Sequence, residues 1–184
     1  GGLSLLAEIE MQSGQLESAK VIYSRLVVRS EQLTELSNLG NVYLFLGQYK
    51  EAIDSFRKAL ALAPENPYVR LNLADALKLN NELAEANDTY RLLVRTLEKD
   101  SDNSQLLMVL SQAEAHMGMD SIAREHIQQL LNEADHQAQA LYTAAVVYAV
   151  LRDETLAKQY RQQAEDAGID ALWFSLPWFY GNQG

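Results

Sequence analysis

Residues 33–66 read LTELSNLGNVYLFLGQYKEAIDSFRKALALAPEN. Leu36, Leu39, Gly40 and Tyr43, and after them Ala52, Phe56 and Ala59, recur at the three- and four-residue intervals of one helical face, with Gly47 between the two runs and Pro64 after them. The stretch therefore predicts two helices of about a dozen residues flanking a tight turn. The same arrangement returns on both sides of it. Ala19, Ala52, Ala86, Ala123 and Ala157 stand 33, 34, 37 and 34 residues apart, each opening a second helix after a turn.

These residue types have a physical reason. Gly40, Ala74, Ser111 and Ala145 on the first helices, and the alanine series on the second, are small where two helices must approach closely. Leu39, Leu73, Leu110, Tyr43, Leu77, Tyr148, Phe56 and Tyr90 supply the bulk between neighbouring helices. Gly14, Gly47 and Gly118 follow a first helix, where a residue with positive φ reverses the chain, and Asn81 takes that place in the third pair. The spacing predicts helix pairs over 3–29, 33–63, 67–98, 104–133 and 138–167, with the stretched period taken up in the polar run Lys99 to Ser104. Only Gly1 and Gly2 precede Leu3, which reads as a chain cut at its front, any further part of the parent protein then lying upstream.

The set Leu36, Leu39, Gly40, Tyr43, Gly47, Tyr49, Ala52, Phe56, Ala59 and Pro64 resembles one tetratricopeptide repeat (TPR), and the recurring alanine series extends the resemblance to about five tandem repeats over residues 3–167. The resemblance implies an all-α fold, a right-handed superhelical solenoid of antiparallel helix pairs. It is followed over 169–184 by a capping helix and an aromatic tail. Members of that family work as protein-interaction modules, so the expectation is a scaffold that binds a peptide or partner protein and has no catalysis of its own.

Composition narrows the classes further. The chain has 184 residues, 48% of them hydrophobic, and no cysteine, which removes disulfides and thiolate metal sites. Its longest apolar run, Ala140 to Leu151, is shorter than the roughly 20 residues that span a bilayer, so no membrane insertion is expected of this segment. A soluble compartment follows, cytoplasmic by default. The formal net charge of −10 would repel phosphate backbones, which argues against nucleic acid. Phosphate-binding loops, H-E-x-x-H and G-x-S-x-G are absent, and no cofactor or metal is expected. His116, His126 and His136 recur every ten residues and share no helical face; with the lone Glu133-x-x-His136 they read as solvated loop residues.

In this fold the first helices line a concave groove. The spacing assigns to a peptide-binding groove Asn38, Asn41, Phe45, Tyr68, Asn72, Met108 and Tyr142, with Glu8, Asp75 and Lys78 as its charges. Asn38 and Asn72, one repeat apart, resemble two rungs of the asparagine ladder of superhelical family members, each amide able to pair with both the C=O and N–H of an extended peptide. The alternative is that they are solvated or bond to neighbouring helices. The ladder stops there, with Leu5, Val109 and Thr143 in the equivalent places. Asn41 and Asn72 also match the asparagines of the carboxylate clamp in chaperone-binding members. The clamp's cations are replaced by Ser37, Gln105 and Val109, so a desolvated carboxylate would gain no partner.

The tail contains Trp173, Phe174, Trp178, Phe179 and Tyr180, too many aromatics to leave in water. In one reading a helix from Asp170 lies across Leu156, Tyr160 and Ala164 and closes the last repeat. In the other the segment after Pro177 enters an apolar groove lined by Met108, Tyr142, Val146 and Val150, of its own or a neighbouring molecule, so that the tail, or the open first repeat, offers a surface for a homodimer. Two further classes stay beside the scaffold. The Tyr-rich last pair leading to an aromatic tail loosely resembles repeat arms attached to bacterial Ser/Thr kinases and transmembrane regulators, which implies a regulatory or sensor arm. The other is a self-assembly unit.

Overall fold

The computed structural model describes residues 2–100, 102–133 and 137–180, and these form an all-α helical repeat without strands. Ten α-helices follow one another as α1 (Gly2–Gln12), α2 (Leu16–Arg29), α3 (Leu33–Phe45), α4 (Tyr49–Leu62), α5 (Pro67–Leu79), α6 (Leu83–Leu97), α7 (Ser104–His116), α8 (Asp120–Asn132), α9 (Gln137–Val150) and α10 (Glu154–Asp166). Single 3-10 turns lie at Glu98–Asp100, Ala171–Phe174 and Pro177–Phe179. Three residues join the helices within each pair.

The turns repeat one chemistry. After α3, Gly47 N–H donates to Leu44 O at 3.1 Å and Gln48 N–H to Tyr43 O at 2.8 Å, the paired bonds that satisfy the last carbonyls of a helix ending in a left-handed residue. The long bond recurs as Gln15 to Glu10, Glu82 to Leu77, Met119 to Glu114 and Asp153 to Tyr148. The left-handed position is Gly14, Gly47, Asn81, Gly118 and, in the fifth pair, Arg152 at φ 60°. Helix starts carry their own caps. Asn66 accepts from Val69 N–H with Pro67 following it, and Asn103 accepts from Gln105 and Leu106 N–H.

The chain divides into two compact units, Gly1–Thr89 and Tyr90–Gly184, with α6 running through the boundary. In the first unit α2, α3, α4 and α5 pack each on the next, and α3 also meets α5. Its core holds Ala19, Tyr23, Leu36, Val42, Ala52, Phe56 and Ala59. The Phe56 ring leaves no room on α3: a Cβ built on Gly40 would stand 2.4 Å from Phe56 Cε1. In the second unit α7 packs on α8 and on α9, and α9 on α10, around Leu107, Leu110, Ala123, Ile127, Ala144 and Val147.

The end of the described chain joins this second core. Asp170 caps the turn Ala171–Phe174, and Phe174 is fully buried among Leu141, Ala145 and Ala164, with Tyr142, Tyr160, Ile169 and Phe179 against it. The cap is thus one 3-10 turn rather than an extended helix, because Pro177 ends any continuation within a few residues. No helix among the described residues is long and apolar enough to cross a membrane.

Candidate functional site

In the first unit, α3 carries Asn38, Asn41 and Phe45, α5 carries Tyr68 and Asn72, and these two first helices meet. Asn72 Nδ2 donates to Asn41 Oδ1 at 3.1 Å, tying the two helices one repeat apart. Asn38 behaves differently from Asn72. Its Nδ2 donates to the Tyr23 hydroxyl of α2 at 3.2 Å, so one amide of the two bonds sideways to a neighbouring helix and the other along the face. Tyr23 is buried, and that burial pushes its phenol above the ordinary value, with the Asn38 bond opposing and Glu8 and Glu35 adding to the rise.

Tyr68 is 44% exposed, although enough of it is covered to raise its phenol through burial. Asn38, Asn41, Phe45 and Asn72 are half-buried. Asp75 is buried one turn beyond Asn72, and Lys78 follows it. Burial holds the Lys78 amine below its ordinary value, the Asp75 carboxylate opposing. The face therefore presents amides, an aromatic ring and an aliphatic-stemmed cation, a surface suited to main-chain hydrogen bonding rather than to capturing a free charge. A separate cleft of about 380 Å³, lined by Ser4, Leu26, Arg29, Gln32 and Glu35 among others, contains none of the residues assigned from sequence.

In the second unit Met108 is half-buried on α7, its carbonyl accepting from Gln112 Nε2 at 3.0 Å. Tyr142 on α9 meets the chain's own tail, its ring edge-on to Trp173 at 6.0 Å and to Phe174 at 5.5 Å. The turn Pro177–Phe179 also lies on α9, and the Trp178 ring meets His116 of α7 edge-on at 5.6 Å. Phe174 thus fills the end of the core, while the turn Pro177–Phe179 lies on α9 with Trp178 against His116 of α7.

The histidines depart from the sequence expectation of solvated loop residues. His116 ends α7, stacked on Tyr90 at 4.6 Å with 16° between ring planes. His126 lies within α8, its Nδ1 2.8 Å from Oε2 of Glu114, which is 2% exposed. Burial raises the Glu114 carboxyl above its ordinary value, with the His126 contact opposing. No local pattern announced either contact, since packing between helices supplies the partner. His136 lies outside the described residues. Among the described residues, no group of three or more metal-ligating side chains is assembled.

Comparison with known proteins agrees with the helical repeat. Residues 25–121 match the family model described as the TPR domain of cytochrome c-type biogenesis protein H. In an alignment of 122 positions that covers 59% of this chain, it is 26% identical to human protein O-mannosyl-transferase TMTC1, of which it spans 14%. A tetratricopeptide repeat protein from Parabacteroides merdae superposes with a TM-score of 0.66 at 19% identity, over 97% of this chain and 70% of that one. YrrB, described as a TPR protein with an unusual peptide-binding site, superposes with a TM-score of 0.50 at 24% identity, over 93% of this chain and 87% of its own. These likenesses establish the repeat fold.

Proposed function

The chain belongs to the family of the cytochrome c-type biogenesis protein H TPR domain, and on that premise we propose that it works by binding, not catalysis, holding an extended segment of a partner protein against the α3/α5 face of its first unit. The observation that carries this reading is the Asn72–Asn41 bond beside half-exposed Tyr68. Asn72 spends one N–H on Asn41. Its carbonyl and second N–H are the pair of functions that an extended backbone offers to match, and the bond to Asn41 holds the amide in place before a ligand arrives, which lowers the ordering cost of binding. Tyr68 adds a ring on which an apolar side chain can rest.

The peptide-binding site in YrrB's description supports the reading by analogy of fold. The test is a peptide array followed by titration of the best extended peptide. Asn72→Ala should weaken it by about 1 kcal/mol and Tyr68→Ala by more, with melting temperatures little changed; an affinity indifferent to both substitutions overturns the reading. A second reading, a repeat arm of a larger protein, is favoured by the human relative, of which the matched chain is 14%. A catalytic or membrane domain in the parent reading frame would support it, and a parent frame of repeats alone would remove it.

A further inference from the structure

The second unit carries a face that the function proposed above leaves unused, and the chain's own end lies on it. Phe174 is wholly buried and belongs to the core. Past Ser175 the character of the packing changes. Leu176 is buried, Trp178 and Phe179 are half-buried, and Tyr180 is 54% exposed. The described backbone bonds of this stretch are local, Phe179 N–H to Leu176 O and Tyr180 N–H to Pro177 O, each 3.1 Å. The ring contacts of this stretch are Trp178 with His116 of α7 and Phe179 with Phe174 at 5.2 Å, both edge-on, and the Tyr180 hydroxyl lies at Arg161 of α10. The Trp178 indole N–H is buried with no hydrogen-bond partner among the described residues. An orphaned donor of that kind weakens the seat of the segment that carries it.

We propose that residues 176–180 are a resident ligand on the α7/α9 face, and that this face takes a segment of a partner protein with the same chemistry, a proline followed by aromatic residues, once the tail has left. The tail shows what the surface accepts. His116, stacked on Tyr90, is a fixed ring that meets an aromatic side chain in a T-shaped contact, and Tyr142 and Phe174 complete the apolar bed. Proline at the first position of the turn fixes its own φ before the segment binds, which reduces the entropy lost on docking. Because the resident is tethered, its effective concentration is of millimolar order. An incoming segment therefore succeeds by satisfying what Trp178 leaves unsatisfied, or by arriving tethered itself.

The experiment uses a fluorescein-labelled hexapeptide of the sequence of residues 175–180, titrated by anisotropy against the whole chain, the chain ending at Ser175, and the whole chain carrying Trp178→Ala. Circular dichroism melts run alongside. Both opened proteins should bind at least about tenfold more tightly than the unaltered chain, which the tethered competitor keeps closed. His116→Ala in the shortened chain should remove most of that gain. Equal affinity for the open and closed proteins overturns the proposal, as does absence of binding by opened proteins that remain folded. Unfolding of both variants would make the segment part of the core and overturn it too. If the unaltered chain doubles its mass with concentration and takes up no peptide, tails are exchanged between copies and the partner is a second molecule of this chain, which also overturns it. The α3/α5 proposal stands or falls separately, since Asn72 and Tyr68 belong to the other unit.

Discussion

Gly40 and Phe56 show how one missing methyl group decides the packing of a repeat. A Cβ at position 40 would approach the Phe56 ring to 2.4–2.8 Å, and the ring is fully buried, so it has no space into which to retreat. Gly40→Ala should cost about 1–3 kcal/mol by overpacking. Combined with Phe56→Leu, whose smaller side chain relieves the clash, it should cost clearly less than the sum of the two single changes in thermal melts. Arg152 tests the turns from the opposite side. It holds φ 60° in the place that glycine fills in three of the other pairs. Arg152→Gly should raise stability by up to about 1 kcal/mol, the left-handed penalty being removed, whereas Gly47→Ala at φ 72° should lower it by a similar amount. A denaturant series on the pair would show whether the signs are opposite.

At the scale of elements, α7 and α8 are joined by a buried ionisable contact. Burial raises the Glu114 carboxyl, so the folded protein holds that proton more tightly than the unfolded chain does. Its contribution to stability is present in full below the unfolded value near 4.5 and is lost as pH rises through the raised native value. Glu114→Gln keeps a polar partner for His126 and removes the ionisation. Melting temperatures followed between about pH 4.5 and 7 should therefore fall less steeply in the variant than in the parent. His126→Ala, which strips the buried carboxyl of its partner, should cost about 1–3 kcal/mol at neutral pH. An identical pH profile for Glu114→Gln and the parent would show that the carboxyl does not titrate in that range.

Over the whole molecule, the two units each bury their own core, and a repeat protein's stability is largely a sum of local and neighbouring terms. Phe174→Ala should cost about 3–5 kcal/mol, and hydrogen exchange should rise first in α9 and α10, whose residues Leu141, Ala145 and Ala164 surround that ring. Exchange rising equally in every helix would mean that the chain unfolds as one block. The sequence was sufficient for the repeat itself: which residues form the helices, where Gly14, Gly47, Asn81 and Gly118 turn the chain, and which alanines allow close approach. Each of these depends on a spacing of three, four or about thirty-four residues that recurs. Local conformational preference and the exclusion of apolar surface from water act on such patterns directly. The candidate sites were decided by tertiary structure. Asn41 and Asn72 are 31 residues apart, His126 finds Glu114 across a turn, and Trp178 finds His116 on another helix; each pairing is made once and has no period to reveal it. Asn38 and Asn72 occupy the same place in the repeat, yet one faces Tyr23 and the other Asn41, because the neighbouring helix, not the residue, supplies the partner.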